Sequence, residues 1–158
     1  MKMRIEYDGK VFEFEGDIDE LYKEVILFFN KIIPTYKLAS EILVNIDIND
    51  LVNIIKPYLQ ISKDGDMIFT ESGEALSMSN KIITLLIGAK LLNLLGIRRG
   101  DSLSLQELSK YLSSTTKSAS SRLSELYSKG FVEKYKDDEG VKYKVTLKGI
   151  VYFGRKLI

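Results

Sequence analysis

The chain has 158 residues and contains neither cysteine nor histidine. Without cysteine there is no disulfide framework, no thiolate zinc site and no cysteine nucleophile. Without histidine the commonest metal ligand and the commonest general base are both missing. Carboxylates remain, but Asp47 and Asp50 read as helix-start residues and Asp64-Gly65-Asp66 as a hairpin turn, and no calcium-loop spacing is met. The sequence therefore predicts no enzyme, no catalytic residue, no metal site and no cofactor. Long apolar runs are also scarce. The most hydrophobic stretch, residues 82–95, is interrupted by Gly88, Lys90 and Asn93 and is shorter than the roughly 20 residues that span a bilayer. The first residues already alternate like a strand instead of forming a secretory signal, so a cytoplasmic protein without a membrane partner is expected.

Prolines number only two and 45% of residues are hydrophobic, enough for one large globular domain or two small ones. The net charge of +1 conceals an asymmetry. Residues 1–78 hold 8 Lys/Arg against 15 Asp/Glu, and residues 79–158 hold 15 against 7. A polyanion responds to the local patch as well as to the total, so the near-neutral sum does not argue against nucleic-acid binding.

Two strand patterns, at residues 3–7 and 10–14, flank Asp8-Gly9, the dipeptide of a tight two-residue hairpin. Ile5 and Tyr7 share a face, with Val11 or Phe12 and Phe14 available opposite. A helix is expected to start at Asp17, bury Leu21, Val25, Phe28, Phe29 and Ile32, and stop at Pro34. Further helical patterns fall at residues 36–43 and 51–55, and a second hairpin at 59–62 and 67–70. Turn and charge signals at residues 71–74 place a boundary near Ser77. Residues 1–76 then form a small acidic α+β domain, and residues 77–158 a second, basic domain.

A helix over residues 80–95 carries too many apolar positions for a single stripe and must be buried on most sides. Its surplus surface implies contact with the N-terminal domain or with another subunit. Beyond it, Ser104 and Glu107 form a capping box for a helix with Leu105, Leu108 and Leu112 inward. The next helix buries Ala119, Leu123 and Leu126 and stops at Gly130. A lysine-laden hairpin follows, then Val145-Thr146-Leu147-Lys148-Gly149 leads into a last helix with Ile150, Val151, Phe153, Leu157 and Ile158 on its apolar side.

From Leu108 to Lys134 this order resembles the winged helix-turn-helix superfamily of transcriptional regulators, as in small archaeal and bacterial proteins of the MarR, ArsR and Lrs14-like kinds. The resemblance covers residues 80–158, about half the chain, and rests on pattern. In that family the turn usually carries a glycine and an apolar residue, where this chain has Ser113 and Ser114. The resemblance implies an α+β fold with a C-terminal winged helix. Thr115 would cap the recognition helix, and Thr116, Lys117, Ser118, Ser120, Ser121 and Arg122 would face the major groove. Short hydroxyl side chains allow close approach but discriminate bases poorly.

In the hairpin, Asp138-Glu139-Gly140 fits a three-residue loop. That register sets Lys136 opposite Lys142 and Lys134 opposite Lys144, gathering four lysines on one face. Like charges facing each other across a strand pair are unfavourable unless phosphates neutralise them. The expected function is a DNA-binding protein, a transcriptional regulator or chromatin-associated factor, holding double-stranded DNA through the recognition helix and this wing. A homodimer would present two such helices, and the acidic N-terminal domain would serve assembly or a protein partner. The competing reading is a winged-helix module that binds protein and not DNA. It draws on the few arginines and on Asp137, Asp138 and Glu139 at the wing tip.

Overall fold

The computed structural model describes residues 1–32 and 46–157. The helix expected at residues 36–43, and Ile158 at the end of the last helix, lie outside the described residues. The chain divides into two compact units, Met1–Asn45 and Ile46–Ile158.

In the first unit, β1 (Lys2–Tyr7) and β2 (Lys10–Glu15) pair antiparallel. Asp8 and Gly9 both hold left-handed backbone, with φ of 51° and 70°, as the two-residue turn requires. Ile5 faces Phe12 and Met3 faces Phe14, so the phenylalanines, and not Val11, share the face of Ile5 and Tyr7. Helix α1 (Ile18–Ile32) opens on a reciprocal pair of bonds. The Glu20 amide donates to the Asp17 carboxylate at 2.8 Å and the Asp17 amide to that of Glu20 at 3.3 Å. Leu21 and Phe28 are buried. The Phe28 ring meets Phe12 edge-on at 4.6 Å and Phe14 at 5.5 Å. This aromatic cluster fastens the hairpin to the helix.

The second unit opens with α2 (Ile48–Ile55), held by an Asp47–Asp50 capping box, and a short hairpin of β3 (Leu59–Ile61) and β4 (Met67–Phe69). One turn of helix, α3 (Glu71–Glu74), caps on Thr70 where the sequence showed only turn signals. Then follow α4 (Met78–Leu94), β5 (Leu103–Ser104), α5 (Leu105–Leu112), α6 (Thr116–Ser128), β6 (Val132–Asp137), β7 (Gly140–Val145) and α7 (Leu147–Leu157). The last three strands form one antiparallel sheet in the order β5-β7-β6, leaving β6 at an edge. Strand β5 is only two residues long, too short for an alternating pattern to mark it.

Helix α4 is the axis of this unit. Ile82, Ile83, Leu85, Leu86, Ile87, Ala89, Leu91 and Leu92 are each at most 4% exposed. Burying each of the larger side chains contributes roughly 1.5–3 kcal/mol relative to leaving it in water. The apolar positions run round the whole helix, and the covering residues come from every other element of the unit except α3. Leu51 and Ile55 come from α2, Leu59 and Met67 from the hairpin, and Leu108 and Leu112 from α5. Ala119, Leu123 and Leu126 come from α6, Val132, Tyr143 and Val145 from the wing sheet, and Ile150 and Phe153 from α7. The surplus surface expected of this helix is thus covered by residues 51–67 of the same compact unit. That unit accordingly starts at Ile46, well ahead of Ser77.

Gly88, which looked like an interruption in the sequence, marks where the β3–β4 hairpin lies against α4. A Cβ there would stand 2.7 Å from the Met67 sulfur and 2.9 Å from a Leu59 methyl. Gly88→Val should overpack this contact and lower stability by about 1–3 kcal/mol. Urea unfolding checks this, and an unchanged midpoint would show that the hairpin is free to shift.

Candidate nucleic-acid interface

The loop entering α5 is built around one carboxylate. Ser104 caps α5 by accepting from the Glu107 amide at 3.2 Å, and Glu107 returns a bond from the Ser104 amide at 2.8 Å. The other oxygen of Glu107 takes the Arg98 guanidinium at 2.8 Å, and Arg98 also donates to the Ser102 carbonyl at 3.0 Å. Partial burial raises the Glu107 pKa, but the Ser104 amide and Arg98 outweigh it and hold the carboxyl below its usual value. The capping box was legible in sequence. Arg98 was not, because nothing in the spacing of an exposed-looking Arg98-Arg99 pair marks an ion pair to a helix start.

Between α5 and α6 the chain turns on Ser113, which adopts left-handed backbone at φ 48°. A serine takes the place where the family pattern sets a glycine, at a strain of roughly 1 kcal/mol. The Ser114 amide closes the turn on the Ser109 carbonyl at 3.2 Å. Thr115 caps α6, its hydroxyl accepting from the Ser118 amide at 3.3 Å. Gly130 ends it at φ 75°, with the Phe131 amide returning to the Leu126 carbonyl.

Ala119, Leu123 and Leu126 fix α6 to the core, so its outward stripe follows from helical geometry. Lys117, Ser121, Ser124 and Ser128 stand opposite the buried side. Ser118, Arg122 and Glu125 occupy one flank, Thr116 and Ser120 the other. All six helix residues singled out in sequence are exposed except Ser120, which is half-buried. Ser124 and Ser128, the C-terminal half of the stripe, were not among those six. The hydroxyls of Ser124 and Ser128 donate to the carbonyls of Ser120 and Ser124, at 3.0 and 2.9 Å, leaving their lone pairs outward. Arg122 lies 3.2 Å from Glu125, whose second oxygen is 2.9 Å from Lys129. Lys117 has no ion-pair partner among the described residues.

The wing differs from its expected register. Asp137 pairs with Gly140, so Asp138-Glu139 forms a two-residue turn in place of the three-residue loop. The cause is the Asp137 side chain, which accepts from the Glu139 amide at 2.9 Å and closes the turn one residue early. A shift of one residue reassigns every cross-strand neighbour. Lys134 now faces Tyr143 and Lys136 faces Val141, while Lys142 faces Tyr135 and Lys144 faces Glu133. Four lysines on one face is therefore incorrect: Lys134 and Lys136 lie on one side of the ribbon and Lys142 and Lys144 on the other. Buried Val132, Tyr143 and Val145 share the side of Lys134 and Lys136, which thus extend the helix-facing side of the sheet beyond the core.

Two of the four lysines are held by the wing's own carboxylates. Lys142 is bound by Asp137 at 3.0 Å and Glu139 at 2.5 Å, and Lys144 lies 3.5 Å from Glu133 and 6.0 Å from the Tyr135 ring centre. The Tyr135 hydroxyl bonds Ser102. The hydrogen bonds that its ammonium donates to Glu139 and Asp137 push the Lys142 pKa well above its ordinary value. Between Val132 and Val145 four lysines meet four carboxylates, so the wing as a whole is neutral. Lys134 and Lys136 have no ion-pair partner among the described residues. A shallow groove of about 350 Å³, lined by Asp101, Tyr127, Glu133, Lys134, Tyr135 and Lys144, joins the end of α6 to the wing. A wider one of about 550 Å³ separates Arg98 and Arg99 from the wing tip.

Among the described residues no cluster of three or more metal-ligating side chains occurs, and no helix is long and apolar enough to cross a membrane.

The Glu107 carboxyl makes a testable contribution. Its pKa is depressed on folding, so the stabilisation is present above the unfolded value and is lost as pH falls through the lower folded one. Glu107→Gln should lower stability at neutral pH by about 1–2 kcal/mol and flatten the loss of stability on acidification. Denaturant curves between neutral pH and pH 3 check both, and an unaltered pH slope would contradict the assignment.

No family model and no curated protein matches the sequence. Similar solved structures include a MarR mutant from E. coli complexed with operator DNA, at 23% identity and a TM-score of 0.40, covering 82% of this chain and 76% of that one. The oxidized form of MarR from E. coli gives 22% identity and a TM-score of 0.41 over 82% of this chain and 77% of that one. The transcriptional regulator BldR from Sulfolobus solfataricus gives 15% identity and a TM-score of 0.39 over 90% of this chain and 79% of that one. The succession of α4, β5, α5, α6, β6 and β7, with the turn at Ser113 and the hairpin at Asp138-Glu139, is that of a winged helix-turn-helix in an α+β chain.

Proposed function

We propose that the unit Ile46–Ile158 binds double-stranded DNA, with α6 in the major groove, and that the protein is a transcriptional regulator or chromatin-associated factor. The observation that carries this reading is the outward stripe of α6. A capped helix, fixed by three buried residues, presents Lys117, Ser121, Ser124 and Ser128 with no apolar side chain among them. Short hydroxyls let a helix backbone approach bases and phosphates closely. Thr116, Ser118 and Ser120 border the stripe and reach phosphates at the groove edges, while Arg122 is the one arginine of α6 that can read a guanine. On the wing, Lys134 and Lys136 supply the free cations. Lys142 and Lys144 are committed to carboxylates and contribute less than their number suggests. A homodimer would set two α6 helices about one helical turn of DNA apart, roughly 34 Å. Ile82–Ala89, Leu91 and Leu92 are buried within one chain, which favours other surfaces for any such pairing. The acidic residues 1–45 would serve assembly or a protein partner.

One observation favours the competing reading, a protein-binding module. The wing is neutral and carries three consecutive carboxylates, Asp137, Asp138 and Glu139, at its tip. The two readings differ in salt dependence, because each phosphate contact adds about 0.9 to the slope of log affinity against log salt. Lys134→Ala with Lys136→Ala should lower duplex affinity evenly across sequences and reduce that slope by about 2. Lys117→Ala with Arg122→Ala should weaken binding and flatten sequence preference. Fluorescence anisotropy with duplexes at several salt concentrations checks this. Undetectable duplex binding even at low salt would favour the protein-binding module.

A further inference from the structure

Lysine is usually among the most exposed residues, yet the Lys142 side chain is only 19% exposed while Glu139 beside it is 77% exposed. Its ammonium is enclosed from two sides, by Asp137 from the opposite strand and by Glu139 from the turn. Asp137 is itself fixed, because its other oxygen accepts from the Glu139 amide. The carboxylate oxygens thus occupy two of the three hydrogen-bonding positions round the ammonium that a phosphate would otherwise take. One strand further in, Glu133 stands beside Lys144 at 3.5 Å. The outer side of the wing is arranged as cations already carrying anions, whereas Lys134 and Lys136 on the other side carry none among the described residues.

We infer that Asp137 and Glu139 are specificity-determining residues: they compete intramolecularly with DNA phosphate for Lys142 and so keep the wing from binding duplex regardless of sequence. The inference rests on the DNA-binding reading of this unit and deepens it. A wing with four available lysines would add a large sequence-independent attraction and would dilute whatever discrimination α6 provides. A neutral wing with two available lysines holds the duplex more weakly and leaves more of the affinity to the helix. Two unpaired carboxylate charges at the tip, Asp138 and the excess over Lys142, repel phosphates further. Removing the clamp therefore both frees an ammonium and reduces that repulsion.

The test uses the full chain with Asp137→Asn and Glu139→Gln together, measured against a random-sequence duplex over a salt series. A control pair, Asp64→Asn with Glu71→Gln, changes net charge equally at exposed residues that hold no lysine among the described residues. The clamp variant should bind random duplex about tenfold more tightly at low salt, with a slope steeper by about 1 for the freed lysine. The control should leave the slope unchanged. Adding Lys142→Met to the clamp variant should return the slope to that of the parent, while thermal melts report whether each variant folds. If the parent binds and the clamp variant matches it or the control, the inference is overturned and the DNA-binding reading stands. If neither parent nor clamp variant binds duplex at low salt, the DNA-binding reading fails and the inference fails with it.

Discussion

Everything in the second unit depends on the enclosure of one helix. Helix α4 has apolar residues around its full circumference, and no position of it between Ile82 and Ala89 is more than slightly exposed. An amphipathic helix can be satisfied by one layer, but α4 must be surrounded. That requirement recruits α2 and the β3–β4 hairpin on one side and α5, α6, α7 and the wing sheet on the other. The orientation of α6 follows from it, since Ala119, Leu123 and Leu126 have only α4 and its neighbours to pack against. The outward stripe of hydroxyls and Lys117 is thus a consequence of core packing, and it needs no contact of its own to be held in place.

Electrostatics then decides what that surface can do. Dividing the chain where the compact units divide gives 6 Lys/Arg against 9 Asp/Glu in residues 1–45 and 17 against 13 in residues 46–158. The contrast is milder than a boundary at Ser77 suggests, because Asp47, Asp50, Asp64, Asp66, Glu71 and Glu74 belong to the basic unit. Much of the positive charge is also spoken for: Lys81 pairs with Glu74, Arg98 with Glu107, Arg122 and Lys129 with Glu125, and Lys142 with Asp137 and Glu139. Exposed pairs such as Arg122–Glu125 contribute little to stability. Their effect on a polyanion is larger, since each such pair must be opened or bridged before its cation can meet a phosphate.

Local chemistry was legible in the sequence where a single interaction settles it. The Asp8-Gly9 turn, the Ser104–Glu107 capping box, the Thr115 cap and the stop at Gly130 are each decided within four or five residues. The near-complete burial of α4 was legible too, as an excess of apolar positions. What covers it was not, because Leu51, Ile55, Leu59 and Met67 read equally well as the core of a separate domain. The wing register failed for a comparable reason. Two-residue and three-residue loops both suit Asp138-Glu139-Gly140, and the choice falls to the Asp137 side chain bonding a backbone amide two residues on. One residue of register moved Lys142 from a lysine neighbour to a carboxylate clamp and so changed the electrostatic meaning of the wing. Strand β5 is too short for any alternation to show.

We propose that α6 and the helix-facing side of β6 form the surface that meets DNA. Amide chemical-shift mapping of the isotope-labelled full chain, titrated with a short duplex at low salt, tests it most directly. Shifts are expected to concentrate at Thr116–Ser121, Ser124, Lys134 and Lys136, with smaller changes at Lys142 and Lys144. Shifts confined to residues 1–32, or centred on Lys142 and Lys144 with α6 unaffected, would contradict it.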